Sequence, residues 1–304
     1  MSETTDQDEI VTVIPTRITA LSRGRSHLLD RLMLSRRRRR ALIRDIETQS
    51  QRVVLCYVSE GGSIMREDAL YLETLLQGVE PGANITLLLN SPGGDPDAAE
   101  KLLHMLREMV SPPAPQPSGS LEIVVPNEAK SAATLIALGA DRLTMSDTSE
   151  LGPIDPQVEI RQGDTVLLYP VAACLAAYEA AERRCQEHPN NSTFRAAFEA
   201  FDHATIEDLR MANQRTRQLA ERIAKRHGWN YTAVADALMD TNRFPSHGQM
   251  IDWQAARQIG LDHVEYRTRT DPLWNRFWEL YLALRSVAGE QTKIFESRTV
   301  TRLG

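Results

Sequence analysis

The plainest structural signal in this chain is Ile85-Thr86-Leu87-Leu88-Leu89, followed at once by Asn90-Ser91-Pro92-Gly93-Gly94. A short apolar run that ends in turn residues predicts a buried β-strand, and two adjacent glycines allow the following loop to take positive φ angles. Without Cβ atoms, such a loop lets a substrate carbonyl come close to backbone N–H groups. The sequence therefore predicts a strand that leads into a loop able to bind an oxyanion.

A second strand and loop carry a serine to the start of a helix. Residues 121–125 are an apolar strand-like run, residues 126–130 a short loop, and residues 131–140 a helix of small and aliphatic side chains. Ser131 then lies in the positive field of the helix N-terminus. The two junctions together suggest a serine nucleophile that faces a backbone oxyanion hole. A simple N-cap and a simple Pro-Gly-Gly turn are the alternatives.

Strand and helix patterns alternate on both sides of these junctions. Residues 52–58 are strand-like, residues 66–76 have helical spacing, and the pattern repeats through residues 85, 98 and 123. Alternation of this kind predicts an α/β fold, a sheet with crossover helices.

Three blocks of the sequence resemble one known superfamily. They are Leu89-Asn90-Ser91-Pro92-Gly93-Gly94, Val125-Pro126-Asn127-Glu128-Ala129-Lys130-Ser131-Ala132-Ala133, continuing to Asp141, and Ser149-Glu150-Leu151-Gly152-Pro153-Ile154-Asp155-Pro156-Gln157. The first two resemble the Clp/crotonase superfamily. The third resembles the serine dehydrogenase proteinase family, a Clp-fold group related to signal peptide peptidase of the SppA type.

That resemblance extends over roughly residues 51–266 and implies a Clp/crotonase-like spiral of ββα units. It also implies that Ser131 is the nucleophile of a serine peptidase. The implied oxyanion hole consists of the N–H groups of Gly94 and Ala132, with Gly93 beside them.

The general base is the least determined member of this site. A serine hydroxyl at neutral pH needs a group within hydrogen-bond reach to take its proton. Clp-type peptidases use a histidine in the segment that here contains Asp155 and no histidine, and SppA-type relatives use a later lysine. The only lysines after Lys130 in the chain are Lys225 and Lys293.

Two residues are the candidates for this base. His247 lies on a loop between Ser246 and Gly248 and is preferred, while Lys130 is second because neighbouring side chains at a helix start usually diverge. Asp155 is the candidate to orient an imidazole as the carboxylate of a triad does, unless it only fixes a turn.

Composition limits the remaining function classes. The chain has 304 residues, 42% of them hydrophobic, and a net charge of -6, which predicts one sizeable core and makes nucleic acid an unlikely partner. Its three cysteines, Cys56, Cys174 and Cys185, have neither metal-ligand nor paired disulfide spacing. We expect a cytoplasmic protein without cofactor, metal or membrane span.

The predicted organisation is one domain with arms. Residues 1–50 form a polar tail and a basic helical arm, residues 51–270 the peptidase domain, with a helical insertion at about 172–240, and residues 271–304 a C-terminal helix and tail. The proline-rich residues 111–120 are predicted to be a linker. The arginines at 36–40 are either a solvated face, an arm that pairs with an acidic partner subunit, or a contact for nucleic acid or another anionic surface.

The C-terminal segment bears on assembly. Apolar and aromatic residues recur there at helical spacing and need a surface to bury against, either on the same subunit or on a neighbour. They are Trp274, Phe277, Trp278, Leu280, Tyr281 and Leu284. With the resemblance, this pattern predicts a homo-oligomer, either a ring or a dimer of trimers, and leaves open whether an ATPase or another protein feeds it.

The sequence thus favours a serine peptidase that acts on peptides or unfolded protein segments. Two alternatives stay open: a catalytically inactive Clp-fold scaffold or partner-binding protein, and a crotonase-like acyl-thioester enzyme. The second shares the oxyanion geometry but does not need the Ser131 hydroxyl as a nucleophile.

Overall fold

The structure is a computed structural model that describes residues 25–114, 118–163, 165–228, 230–288 and 292–304. The strands are β1 (Val53–Ser59), β2 (Ile85–Asn90), β3 (Leu121–Val124), β4 (Glu128–Ala129), β5 (Arg142–Met145), β6 (Glu150–Leu151), β7 (Gln157–Gln162), β8 (Thr165–Pro170), β9 (Val264–Tyr266), β10 (Lys293–Glu296) and β11 (Thr301–Leu303). The helices are α1 (Arg25–Ser50), α2 (Asp68–Leu76), α3 (Pro96–Val110), α4 (Ala132–Leu138), α5 (Val171–Glu187), α6 (Ser192–Glu199), α7 (His203–Arg226), α8 (Tyr231–Met239), α9 (Trp253–Ile259) and α10 (Pro272–Arg285).

A seven-stranded sheet forms the centre, in the order β11-β10-β1-β2-β3-β5-β9. The five strands from β1 to β9 in this order run parallel, whereas β10 and β11 are antiparallel additions at one edge. Every residue of β2 is buried, as expected for an apolar strand covered on both faces. The predicted α/β class is confirmed.

A second, smaller layer of strand pairing gives the fold its spiral form. After each of the first four core strands the chain makes a short outer segment, and these segments also pair in parallel: Ile64 with Gly94, Ser91 with Ala129, and β4 with β6. In the first three units a helix follows the outer segment. The repeating unit is therefore strand, short strand, helix, which confirms the predicted Clp/crotonase-like spiral and places the glycine loop beside the serine loop.

Helices cover the two faces of the sheet. On one face α2, α3 and α4 pack through Leu72, Leu102 and Leu135 against strand residues that include Leu55 and Leu87. On the other face α1 and α10 pack against the alternate strand residues Val54, Cys56, Val58, Leu88 and Val124. Since successive side chains of a strand point to opposite faces, the same apolar strands serve both cores.

The C-terminal segment belongs to this core. Trp274, Phe277 and Tyr281 of α10 are buried in the second cluster, so the apolar face folds back on its own subunit. Beyond the helix, where the sequence suggested only a tail, β10 pairs with β1 inside the main sheet. The apolar face of α10 therefore gives no reason to expect assembly, and the homo-oligomer stays a prediction.

The arginine block is partly internal, which corrects the interpretation of residues 36–40 as wholly a solvated face or an intermolecular contact. Arg39 is 2% exposed and forms a bidentate pair with the fully buried Glu296, with nitrogen–oxygen distances of 2.8 to 3.0 Å. Arg36 donates to the Thr299 carbonyl at 2.8 Å. Both arginines join α1 to the C-terminal strands of the same chain. Arg37, Arg38 and Arg40 remain exposed.

The segment predicted to be a helical insertion, at about residues 172–240, contains α5, α6, α7 and α8, and the chain is not helical between Glu187 and Ser192. The β7–β8 hairpin precedes it, and its status as an insertion stays a prediction. Residues 1–24, predicted to be a loose polar tail, and residues 115–117 of the predicted linker lie outside the described residues. None of the described helices is long and apolar enough to cross a membrane.

Candidate active site

A cavity of about 850 Å³ lies where the glycine loop, the serine loop, the β7–β8 hairpin and α7 meet. Gly93, Gly94, Ser131, Ala132 and His247 all line it. The outer layer of the spiral supplies the first four of these residues, because the segments after β2 and β3 lie side by side. The loop with His247 reaches the same place through the pairing of Ile251 with Leu151.

Ser131 has an unusual backbone at the head of α4. Its φ of 50° and ψ of -118° lie in a region that non-glycine residues rarely occupy, and such strain often accompanies function. It occupies the N-cap position but makes no side-chain capping hydrogen bond. The sequence left two roles open for the Ser131 hydroxyl, nucleophile and N-cap. The hydroxyl does not act as an N-cap.

Both glycines of the loop are required by close contacts. Gly93 has φ of 104°, and a Cβ there would lie 2.8 Å from Cβ of Ser131. Gly94 has φ of 147°, and a Cβ there would lie 2.3 Å from the amide nitrogen of Ile64. Any side chain at either position would clash with backbone or with Ser131, so the loop can approach the serine only as glycine.

The amides of this loop differ in their availability. Gly93 N–H already donates to Ser91 Oγ at 3.2 Å, and the Gly93 carbonyl accepts from Ile64 at 2.7 Å. Within the described part of the chain, the amides of Gly94 and Ala132 donate to no acceptor. Two unpaired N–H groups on residues that line one cavity with a serine are what an oxyanion requires.

His247 is oriented by a buried carboxylate. Its Nδ1 lies 2.8 Å from Oδ1 of Asp155, whose side chain is 4% exposed. In the tautomer in which Nδ1 donates to this carboxylate, Nε2 is the acceptor. Asp155 also accepts from Gln157 Nε2 at 2.5 Å. Asp155 thus forms hydrogen bonds both with Gln157, two residues later in the chain, and with His247, 92 residues later.

The side chain of Lys130 has partners other than the hydroxyl of its neighbour. The residue is buried, and Nζ lies 3.0 Å from Oε2 of Glu150. Nζ also donates to the carbonyls of Leu151, Gly248 and Gln249 at 3.2 to 3.3 Å. As an ammonium, Lys130 has three donors and no lone pair for the serine proton. The structure brings Ser131, His247 and Asp155 to one place and gives Lys130 other partners.

Lys293, one of the two lysines later in the chain, also has a structural partner. It forms a buried pair with Asp68 at 2.8 Å, and Asp68 accepts from the Tyr57 hydroxyl at 2.8 Å. Burial, followed by the neighbouring Asp68 charge, raises the pKa of Tyr57 above its usual range. Asp68 also accepts from the amide of Met65 at 2.9 Å, and the preceding residue, Ile64, pairs with Gly94. This network therefore supports the segment that pairs with the glycine loop.

The β7–β8 hairpin and α7 contribute a wall that sequence reasoning did not assign. Leu168 on β8 and Met211 on α7 line the cavity although both are more than half exposed. Arg215 of α7 pairs with Asp97 of α3 at 2.9 Å, and Arg222 pairs with Glu100. In the sequence, this contact is visible only as two acidic residues on one face of α3 and two arginines on one face of α7. The spacing of these residues does not show that the two helices pack against each other.

Comparison with known proteins gives limited likeness. No family model matches the chain. Two proteins of Methanocaldococcus jannaschii, uncharacterized proteins MJ1495 and MJ0137, are 32% identical over 94 residues and 33% identical over 92 residues. These matches span 31% and 30% of this chain but only 27% and 29% of the two relatives.

Two solved structures show a weak similarity to this chain. Both are of the 1510-N membrane-bound stomatin-specific protease: one a serine-to-alanine mutant, the other a lysine-to-alanine mutant in complex with a substrate peptide. The TM-scores are 0.43 and 0.36, with 15% sequence identity in both cases. The matches cover 73% and 76% of this chain, and 81% and 98% of those chains.

Proposed function

We propose that this protein is a serine peptidase that hydrolyses peptides or unfolded protein segments. The observation that carries the proposal is the shared cavity, which is lined both by a serine whose hydroxyl caps no helix and by a histidine held by a buried aspartate. Ser131 is the nucleophile, His247 the general base and Asp155 the group that orients the imidazole. The N–H groups of Gly94 and Ala132 form the oxyanion hole.

The proposed reaction follows from these positions. Nε2 of His247 takes the Ser131 proton as Oγ attacks the peptide carbonyl carbon, and the oxyanion accepts hydrogen bonds from the Gly94 and Ala132 amides. The imidazolium then gives its proton to the leaving amine as the C–N bond breaks. Water hydrolyses the remaining ester, with His247 again taking a proton and returning it to Ser131.

Two alternatives are weaker for specific reasons. A crotonase-like acyl-thioester enzyme does not need a serine hydroxyl and a histidine–aspartate pair in one cavity. An inactive scaffold has no use for unpaired amides and a strained serine in one cavity. The three sequence blocks support membership of the serine dehydrogenase proteinase family. The proposal also includes that the protein is located in the cytoplasm and that it assembles as a homo-oligomer.

The test is the reaction of Ser131 with a fluorophosphonate probe, together with hydrolysis of a fluorogenic peptide mixture. We expect the parent protein to react at Ser131 and Ser131→Ala to lose both activities, the hydrolysis by about a thousandfold or more. Since the hydroxyl makes no capping bond, the free energy of unfolding should change by less than about 1 kcal/mol. The exposed Ser192→Ala is the matched control and should behave as the parent. Full hydrolysis by Ser131→Ala would refute the assignment.

A further inference from the structure

The loop that carries His247 has little packing of its own. Its residues 245, 246, 248 and 250 are exposed, and a Cβ at Gly248 would meet only Ser246 Oγ, at 3.8 Å. One backbone hydrogen bond, from Gln249 to Ser246, closes the turn at 2.9 Å. A loop with so few contacts is expected to open locally unless something outside it holds it.

Lys130 supplies such a hold. Two of its three carbonyl acceptors, Gly248 and Gln249, are the residues immediately after His247. The third acceptor, Leu151, and the carboxylate of Glu150 belong to β6. Charge-assisted hydrogen bonds of a buried ammonium are among the stronger contacts available to a loop backbone.

The same residue is fixed to the other half of the site. Lys130 N–H donates to the Ser91 carbonyl at 3.0 Å, and the next residue is Ser131. Gly152 makes room for the side chain, because a Cβ there would lie 2.7 Å from Cδ of Lys130. One residue thus joins the glycine loop, the serine and the histidine loop.

We propose that Lys130 is a positioning residue that holds the His247 loop at the correct place relative to Ser131, and that it takes no part in proton transfer. This inference rests on the proposed peptidase function. The effect of the Lys130 side chain on the reaction is through His247: Lys130 sets where the imidazole lies, while Asp155 sets how the ring is turned.

The test compares the parent, Lys130→Met, His247→Ala and the double variant in two measurements. The rate of Ser131 reaction with a fluorophosphonate needs no natural substrate, and hydrogen exchange reports the amides of residues 246–250. We expect Lys130→Met to slow labelling about tenfold or more and to speed exchange in the loop about tenfold. Because both residues act in one step, the double variant should label no more slowly than His247→Ala.

Controls and contrary outcomes are equally defined. Lys225→Met, at an exposed site in the last turn of α7, should change neither measurement. Gly152→Ala, which displaces the Lys130 side chain without removing its charge, should act in the same direction and replaces Lys130→Met if that variant does not fold. The inference would be overturned if the labelling rate of the double variant fell by the product of the two single losses. It would also be overturned if Lys130→Met left hydrogen exchange in the loop unchanged. If His247→Ala labels normally and Lys130→Met does not, Lys130 is the base instead.

A parent protein that never labels at Ser131 would overturn the proposed peptidase function. In that case the hydrogen-exchange measurement by itself still tests whether Lys130 holds the His247 loop.

Discussion

At the residue scale, two stacked histidines make the stability of the fold depend on pH. The rings of His227 and His263 lie 5.5 Å apart, centroid to centroid. Burial, with the neighbouring His227, lowers the pKa of His263 from 6.5 to about 4, and burial also lowers the pKa of His227. Both rings are therefore neutral in the native state at a pH where the unfolded chain binds protons.

The lowered pKa of His263 sets the direction of the pH effect. Well above pH 6.5 the His263 ring is neutral in both the native and the unfolded state, so it does not change the free energy of unfolding. As the pH falls from 6.5 towards 4, the unfolded state gains protons first, so stability decreases. Between pH 7 and pH 5, His263 alone should cost about 2 kcal/mol of unfolding free energy. Urea unfolding at the two pH values measures it.

His263→Gln should flatten this pH dependence, whatever it does to stability at pH 7. The exposed His104→Gln is the control and should keep the dependence of the parent. Equal pH dependence in His263→Gln and the parent would contradict the assignment.

At the element scale, the join between α1 and β10 depends on one buried ion pair. Glu296→Gln leaves the Arg39 guanidinium buried beside a neutral group, and breaking a buried pair in this way costs about 3 to 5 kcal/mol. Replacing both partners together, as in Arg39→Met with Glu296→Leu, should recover most of that loss. Chemical denaturation of the three proteins measures the difference.

The control for this prediction lies on the same helix. Arg38 pairs with Glu279 at 2.7 Å, but the two side chains are 67% and 36% exposed. Glu279→Gln should therefore cost less than about 1 kcal/mol. A similar loss in Glu279→Gln and Glu296→Gln would show that burial of the pair is not what matters.

At the scale of the whole molecule, the C-terminal segment is needed for folding. Removing residues after 271 would uncover the apolar face of α1 and leave β1 at the edge of the sheet without β10. We expect this truncation to lose cooperative thermal unfolding altogether, and not to yield a folded monomer. Circular dichroism and sedimentation of full and truncated chains decide it. Leu282→Ser, on the exposed side of α10, should leave the fold unchanged.

The sequence by itself determined the features that depend on neighbouring residues. The apolar runs at 85–89 and 121–125 became β2 and β3, and the helix after Ser131 became α4, because periodicity and turn residues act over a few positions. The glycine pair also follows from local geometry, since only glycine fits the loop at positions 93 and 94. The spiral, in contrast, was implied only by the resemblance of the motif blocks to a known superfamily.

Tertiary structure alone decided the contacts between distant parts of the chain. The sequence predicted only a tail after the C-terminal helix, whereas the pairing of Lys293 with Asp68 and of Glu296 with Arg39 lets β10 be buried. In the same way, His247 hydrogen-bonds Asp155 across 92 residues, while Lys130, adjacent to Ser131 in the chain, pairs with Glu150. Burial stabilises a charged residue only when a partner is present, and the packing of the whole fold supplies that partner.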